Sequence, residues 1–498
     1  MNARIIRFII SRILYVEAAL MAVPLLVGVI YREPLSDLFN FFLPLVVCLI
    51  LGKLLAVNEE KLGTFYYKEA LLTVGLVWVV ISAMGAIPLW LTPTNYPTYT
   101  DAFFEMVSGF TTTGASVAND VEALPHSILF WRSFSHFIGG MGVLVFALAL
   151  FPKNNPRSSL FMKAEVPGPI FGKLVPKLSE TARILYIIYL VMAVILVILL
   201  MLGGLNLFDA LIHAMGTAGT GGFSNYNASV GQFHSKYVEI VLSIGMFAFG
   251  INFNLYYYAL VRSIKDFFSS EELKVYFAIV ALMTILIAIN IWHMYDSGSY
   301  TAVSSLFAVT SIISTTGFVS ADFGQWPMLS RMLLITLMFT GACAGSTAGG
   351  FKVSRVIIAF KKIINEVRQA IDPKHVSVVT FEEKPVLPAV EKSIGNYTLI
   401  YGLIVIVSCI LISLDAPDLL STTGTVMTAF NNIGPGLGAY GPLANFKDIS
   451  MLSKWVIIVD MLLGRLEIYP ILILFSPSIW RTRRHRPRLR QAKAEKMI

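Results

Sequence analysis

Roughly ten apolar stretches, each about 20 residues or longer, make up most of this chain. The hydrocarbon core of a bilayer is about 30 Å thick, so each stretch can cross it as one helix. The stretches cover residues 5–30, 37–56, 67–92, 127–151, 183–206, 236–262, 272–296, 328–365, 395–415 and 451–478. Only 14% of the 498 residues are charged, and the mean hydropathy is +0.72. The sequence therefore predicts an all-α integral membrane protein.

Lysines and arginines are concentrated in segments expected on one side of the membrane. They are Arg4, Arg7 and Arg12, then Lys153, Arg157, Lys163, Lys173, Lys177 and Arg183, then Lys352, Arg355, Lys361, Lys362, Arg368 and Lys374, and finally the tail from Arg481 to Arg490. None occurs between Lys68 and Arg132. The positive-inside rule therefore predicts that both termini are cytoplasmic. We interpret the basic tail as an anchor to the lipid surface rather than a nucleic-acid site.

Four short polar runs, each ending in glycine, interrupt the apolar sequence. They are TTTG at Gly114, GTGG at Gly222, STTG at Gly317 and NNIG at Gly434, and successive glycines are 108, 95 and 117 positions apart. Thirteen residues before each glycine stands a residue able to cap a helix N-terminus, namely Asp101, Asp209, Ser304 or Ser421. We therefore predict four short helices that begin at these residues and end near the glycines.

After the first two apolar stretches, the chain divides into four similar units. Each contains an apolar helix, a shorter half-apolar helix, a glycine run and a second apolar helix. The predicted boundaries are 1–66 for an N-terminal two-helix extension, 67–152, 153–265 and 266–370 for units 1 to 3, and 371–498 for unit 4 with the basic tail. The short helices cannot span a bilayer, so each should enter from outside and turn back at its glycine. We expect the four helix, pore loop, helix repeats to surround one axis in a pseudo-fourfold arrangement.

Four such loops around one axis can form an ion-selectivity filter. A potassium ion must lose most of its water in a narrow pore, and rings of carbonyl oxygens replace that hydration. Glycine permits the backbone dihedrals that this requires. The predicted filter residues are Thr112, Thr113, Gly114, Thr220, Gly221, Gly222, Thr315, Thr316, Gly317, Asn432, Ile433 and Gly434. The alternative is that these glycines serve packing or turns in an ordinary transporter bundle.

Two features of the later apolar stretches have more than one interpretation. The first is the run GACAGSTAGGF, from Gly341 to Phe351. Its regularly spaced glycines favour close helix packing, whereas its lack of large side chains favours a broken helix. Arg465 lies within the last stretch, where a charge costs about 3 kcal/mol and needs a partner or a water-filled cavity. Arg465 can form an ion pair with Asp460 or Glu467, or it can lie beside the ion path.

The runs TTTGAS, TGGFSN, STTGF and NNIGPGLG, together with GRLEIYP in the last stretch, resemble motifs of the Trk, Ktr and HKT superfamily of potassium transporters. The resemblance covers essentially the whole chain, and the first two helices look like the extra pair of the TrkH branch. It implies a homodimer that takes up potassium, its substrate, across the bacterial plasma (inner) membrane. It also implies a cytoplasmic, TrkA-like regulatory ring, which would carry any nucleotide, because no cofactor is expected in this chain.

The resemblance also implies roles for individual residues. Family members with glycine in all four loops are potassium-selective, whereas serine in the first loop, here Gly114, goes with sodium. The small-residue run would be an intramembrane loop that obstructs the pore, with gate residues Gly345, Ser346, Thr347, Gly349 and Gly350. Arg465 would be an electrostatic barrier below the filter. No loop reads TVGYG, and the fourth loop carries Asn-Asn-Ile before its glycine. The ring is therefore chemically uneven, and rejection of sodium is expected to be less complete.

Catalytic motifs are absent from any suitable context. Neither HExxH, nor the phosphate-binding GxxxxGK[ST], nor the nucleophile elbow GxSxG is found there, so we do not predict an enzyme. The remaining alternative is a sodium- or proton-coupled secondary transporter, either a potassium symporter or an organic-solute carrier. Such proteins also use repeats and broken helices.

Overall fold

The computed structural model describes residues 3–58, 67–142, 178–261, 263–295, 297–374 and 378–477. Its helices are α1 (Ala3–Ile30), α2 (Leu35–Leu55), α3 (Tyr67–Gly85), α4 (Ile87–Trp90), α5 (Tyr99–Phe110), α6 (His126–Gly140), α7 (Leu178–Leu202), α8 (Leu207–Gly219), α9 (Lys236–Phe249), α10 (Phe253–Val261), α11 (Ile264–Ser269), α12 (Glu271–Asn290), α13 (Gly298–Ile313), α14 (Met328–Thr340), α15 (Val353–Ile371), α16 (Pro388–Ile412), α17 (Leu419–Phe430), α18 (Met451–Arg465) and α19 (Tyr469–Leu474). One antiparallel hairpin pairs β1 (Thr380–Phe381) with β2 (Lys384–Pro385). The basic connection from Lys153 to Lys177 and the tail from Arg481 to Arg490 lie outside the described residues.

Six helical spans in the described part of the chain are long and apolar enough to cross a membrane. They are Ala3–Ile30, Leu35–Leu55, Lys68–Trp90, Ala182–Leu202, Glu271–Asn290 and Pro388–Ile412. The first two pack side by side in opposite directions, and Ser11 near the start of α1 donates a 2.6 Å hydrogen bond to the carbonyl of Gly52 near the end of α2. These lengths and compositions agree with the predicted membrane class.

Three predicted spans are broken rather than continuous. Residues 236–262 form α9 and α10, which meet at 87°. Residues 328–365 are interrupted at 341–352, and residues 451–478 at 466–468. Left-handed residues occur inside the last two breaks, at Gly341, Gly345, Gly350, Lys352, Glu467 and Ile468. Hydropathy could not reveal the breaks, because a straight helix and a broken one can have the same apolar composition.

The four short helices begin earlier than predicted. Their cap positions are Thr98 for α5, Asn206 for α8, Ser297 for α13 and Asp418 for α17. Asp101, Asp209 and Ser421 instead occupy the third helical position, where their backbone N–H groups donate to the cap side chains. Ser304 lies inside α13. The predicted caps were therefore wrong, because acidic and hydroxyl residues are also favoured in the first turn that a cap stabilises.

Each short helix packs against the second helix of a neighbouring unit. Helix α8 packs on α6, α13 on α9, α17 on α14, and α5 on α18. The last contact joins unit 4 back to unit 1, and a 2.7 Å ion pair between Lys454 and Asp101 reinforces it. The four units therefore form a closed, pseudo-fourfold arrangement that holds the glycine loops together.

Candidate functional site

The four glycine loops share one unusual backbone conformation. In each loop, the glycine and the residue two positions before it have positive φ. The angles are 56° and 80° at Thr112 and Gly114, 57° and 76° at Thr220 and Gly222, 58° and 78° at Thr315 and Gly317, and 55° and 103° at Asn432 and Gly434. For a β-branched threonine this is a true outlier, so the surrounding structure must hold it in place. The same pair of positive-φ residues in four separate loops indicates that the loops have one common role.

The loops contact one another in a closed ring. A Cβ atom added to the glycine of one loop would meet the carbonyl oxygen of the middle residue of the next loop. The pairs are Gly114 with Gly221, Gly222 with Thr316, Gly317 with Ile433, and Gly434 with Thr113. All four glycines therefore surround one axis, and a side chain at any of them would push neighbouring loops apart. We call this arrangement the glycine ring.

One cavity, of about 190 Å³, is lined by all four glycines of the ring. Residues that follow the glycines, including Ala115, Phe223, Val319 and Pro435, also line it. The four loops therefore line one shared cavity, which we call the vestibule.

Side-chain oxygens near the ring are unevenly arranged. Asn432 in the fourth loop donates a 3.0 Å hydrogen bond from its amide to the hydroxyl of Thr113 in the first. In the third loop, the hydroxyls of Ser314 and Thr316 are 2.7 Å apart. Thr112 Oγ1 and Asn432 Oδ1 are buried without a hydrogen-bond partner among the described residues. Buried oxygens of this kind can coordinate a cation.

A buried ion pair contacts the residues that follow the first two loops. Glu105 of α5 and Arg132 of α6 form a 2.8 Å salt bridge, and both side chains are almost fully buried. Glu105 also accepts a 2.9 Å hydrogen bond from the backbone N–H of Val117, just after the first loop. Arg132 donates to the carbonyl of Ser224, just after the second loop, and lies 4.1 Å from the ring of Phe223. The pair thus joins two loops and places a compensated positive charge beside the vestibule. Sequence reasoning missed this pair, because its members are 27 residues apart on different helices.

Substitution of Glu105 with glutamine should weaken cation entry. The change leaves the charge of Arg132 uncompensated at the vestibule, and breaking a buried pair also costs about 3 kcal/mol of folding stability. We expect a higher half-saturating potassium concentration in flux measurements, with a smaller effect at high ionic strength because salt screens the charge. The double variant Glu105→Gln/Arg132→Gln should recover most of the loss in apparent affinity. An equal loss in the single and double variants would contradict an electrostatic role.

The small-residue run adopts an irregular conformation directly beside the ring. We call residues 341–352 the intramembrane segment; they separate α14 from α15. The backbone N–H of Gly349 donates a 2.8 Å hydrogen bond to the hydroxyl of Thr315, a filter candidate in the third loop. The carbonyl of Gly345 accepts from Phe253 at 3.1 Å, and Ser346 bonds within the segment to Cys343. Of the two interpretations of this run, the broken helix is the one that the structure has.

Arg465 connects this segment to unit 1. Its guanidinium donates to the carbonyl of Thr347 at 2.7 Å, and to those of Gly139 and Gly140 at 2.5 and 2.8 Å. Arg465 is 8% exposed at the end of α18. The arginine therefore lies where the intramembrane segment, unit 1 and unit 4 meet.

The carboxylates considered as partners of Arg465 are engaged elsewhere. Glu467 forms a 2.6 Å salt bridge with Arg355. Asp460 accepts a 2.8 Å hydrogen bond from Ser408. Of the two alternatives for Arg465, an ion pair with either residue is therefore not formed in the described part of the chain. Asp460 lies five positions before Arg465 on α18 and so faces about 140° away from it, and Glu467 lies in the break that follows the helix.

Lys352 has a different environment from the one that the sequence suggested. The charge pattern groups it with the basic residues expected on one side of the membrane, but it is only 1% exposed, and its ammonium donates to the carbonyl of Ala348 in the intramembrane segment. Its φ of 82° shows that it belongs to the irregular backbone. The available signal was its position immediately after the small-residue run.

Comparisons with known proteins agree with this architecture. The family described as TrkH, cation transport protein, matches residues 37–482. The chain is 33% identical over 487 residues to the Trk system potassium uptake protein TrkH of Salmonella typhimurium, covering 97% of this chain and 100% of that protein. It is also 33% identical to the potassium uptake protein TrkG of Escherichia coli, over 97% and 99% of the two chains.

A solved structure shows the same fold. The crystal structure of the potassium transporter TrkH from Vibrio parahaemolyticus superimposes with a TM-score of 0.84 and 30% sequence identity, covering 97% of this chain and 100% of that one. The predicted resemblance and the all-α membrane fold are thereby confirmed. The match to a cation transport family also supports the prediction that the chain is not an enzyme.

Proposed function

Because this chain belongs to the TrkH family of cation transport proteins, we propose that it takes up potassium ions through the glycine ring. The single observation that carries the proposal is the closed circle of carbonyl-to-glycine contacts among the four loops. Backbone oxygens that line a narrow pore can replace the hydration of a monovalent cation. Potassium is the ion named for the relatives, and glycine at position 114 fits a potassium-selective first loop.

The short helices add an electrostatic contribution. Helices α5, α8, α13 and α17 all end at the loops, so their C-terminal ends face the ring. Each end carries about half an elementary negative charge, which favours a cation nearby. The uncharged ring therefore attracts a cation without binding it as tightly as a cluster of carboxylates would.

We infer that the intramembrane segment and Arg465 obstruct the path on the far side of the ring from the vestibule. Gly349 bonds to the third loop, and Arg465 holds Thr347 in place. The gate would comprise Gly345, Ser346, Thr347, Gly349 and Gly350 together with Arg465. Opening requires the segment to move and the arginine charge to be displaced or screened.

The remaining parts of the proposal concern assembly and location. We propose a homodimer in the bacterial inner membrane, with both termini cytoplasmic and units divided at 67–152, 153–265, 266–370 and 371–498. The relatives are named as components of a Trk system, which supports a further subunit. We propose that this is a TrkA-like cytoplasmic ring that binds the regulatory nucleotide, and that this chain holds no cofactor of its own.

Cation flux in proteoliposomes tests the function. With purified protein and K⁺, Rb⁺, Na⁺ or Li⁺, we expect flux of K⁺ and Rb⁺ to exceed that of Na⁺ and Li⁺ and to follow the membrane potential. Liposomes without protein are the control. Equal flux of all four ions would contradict a selective ring. Flux that requires a pH or sodium gradient would favour the alternative, a coupled secondary transporter.

A further inference from the structure

Glu272, in the first turn of α12, is buried against the intramembrane segment, with 4% of its surface exposed. Its Oε1 accepts two backbone hydrogen bonds, from Ala344 at 2.8 Å and from Ser354 at 3.0 Å. These two N–H groups lie on opposite sides of the left-handed residues Gly345 and Gly350. One carboxylate oxygen therefore ties the beginning of the segment to the helix that follows it.

Two properties of these hydrogen bonds allow them to hold the segment in place. Ser354 is in the first turn of α15, where backbone N–H groups have no partner within the helix. A carboxylate at this end is favoured by the helix dipole, and a charged acceptor forms a stronger hydrogen bond than a neutral one. Residues 341–352 are otherwise mostly small, so few side chains can hold them in this conformation.

Glu272 is in turn attached to the β1–β2 hairpin. Glu382, in the hairpin turn, accepts a 2.7 Å hydrogen bond from the hydroxyl of Ser270 and a 3.1 Å bond from the backbone N–H of Glu272. Phe381 is buried in the same hydrophobic cluster as Cys343 of the intramembrane segment. A continuous series of contacts thus runs from the hairpin, through the start of α12, to the segment.

We propose that Glu272 is a positioning residue that keeps the intramembrane segment against the ring, and that the hairpin at Glu382 fixes the position of Glu272. The inference rests on the proposed function, in which this segment obstructs the ion path. Between the two residues that Glu272 holds, the segment bonds to Thr315 and Arg465 through Gly349 and Thr347. Release of the Glu272 bonds therefore frees both ends of a stretch whose middle contacts the ring. A displacement of the hairpin can therefore reach the ion path through the carboxylate of Glu272.

The test measures segment position and ion flux separately. Cys343 is buried in the segment, and the other two cysteines of the chain, Cys48 and Cys409, can be replaced with alanine to leave it as the sole thiol. In this background, Glu272→Ala should increase maleimide labelling of Cys343 and raise potassium flux several-fold, with an unchanged K⁺/Na⁺ ratio. Glu272→Gln keeps an oxygen acceptor and should lie closer to the parent protein in both measurements.

A neighbouring residue provides the matched control. Glu271 pairs with Lys361 on a partly exposed surface, so Glu271→Gln should change neither measurement, because exposed ion pairs contribute little. If Glu272→Ala does not fold, Glu382→Ala should shift both measurements in the same direction by a smaller amount. Increased labelling without increased flux would support the role of Glu272 and overturn the segment as the obstruction. Unchanged labelling in folded Glu272 and Glu382 variants would overturn the inference.

Discussion

Replacement of Gly114 with serine should lower the ratio of potassium to sodium permeation by about tenfold. Gly114 has a φ of 80°, and an added Cβ would overlap the carbonyl oxygen of Gly221 in the next loop. A strained residue of this kind costs about 1–3 kcal/mol, and 1.4 kcal/mol corresponds to a tenfold change. The first and second loops must therefore move apart, which loosens the ring around the ion. Competitive flux of K⁺ and Na⁺ in proteoliposomes measures the ratio.

Gly402→Ser is the matched control for this substitution. Gly402 lies in α16, where an added Cβ would meet no atom within 4 Å other than those of its chain neighbours and the backbone of its own helix. The same chemical change there should leave selectivity and flux as they were. If Gly114→Ser folded normally and kept the K⁺/Na⁺ ratio of the parent protein, the assignment of this loop to the filter would fail.

Replacement of Arg465 with alanine should raise potassium flux by about tenfold or more. Two unit charges 4 Å apart repel by about 4 kcal/mol at the effective dielectric constant near protein surfaces, so even part of this repulsion is a large barrier to a cation. The substitution also removes the hydrogen bonds that hold Thr347, Gly139 and Gly140. Flux per reconstituted protein, corrected for the folded fraction, provides the measurement.

Arg465→Lys separates the two contributions. Lysine keeps the positive charge, but it lacks the rigid fork of donors that reaches carbonyls on two different segments. Low flux in the lysine variant would assign the barrier mainly to charge, whereas high flux would assign it mainly to release of the intramembrane segment. Slower flux in a well-folded alanine variant would remove Arg465 as a barrier.

The glycine loops were identifiable from sequence because their constraint is local. Positive φ next to a crowded backbone selects glycine at one position, and four such positions recur between apolar helices. The order of contacts around the ring was not identifiable in this way, since it depends on which helices pack together. The same limit applies to Glu105 and Arg132, whose pairing joins separate helices.

The intramembrane segment could be located from the sequence, but its conformation could not. Its composition allowed both a packed helix and a broken one, and the choice depends on bonds to residues elsewhere in the chain, such as Glu272 and Phe253. The charge pattern groups Lys352 with exposed basic residues, because charge alone does not reveal burial. Its ammonium is satisfied by a carbonyl that becomes available only after the helix breaks.

The sequence by itself determined the membrane class, the four repeated units and the glycines at the ring, because hydropathy and backbone sterics act within short segments. Only the tertiary structure decided where helices break and which groups meet Arg465, Glu105 and Glu272. Backbone groups freed by a break must find hydrogen-bond partners inside the membrane, and those partners come from distant parts of the chain.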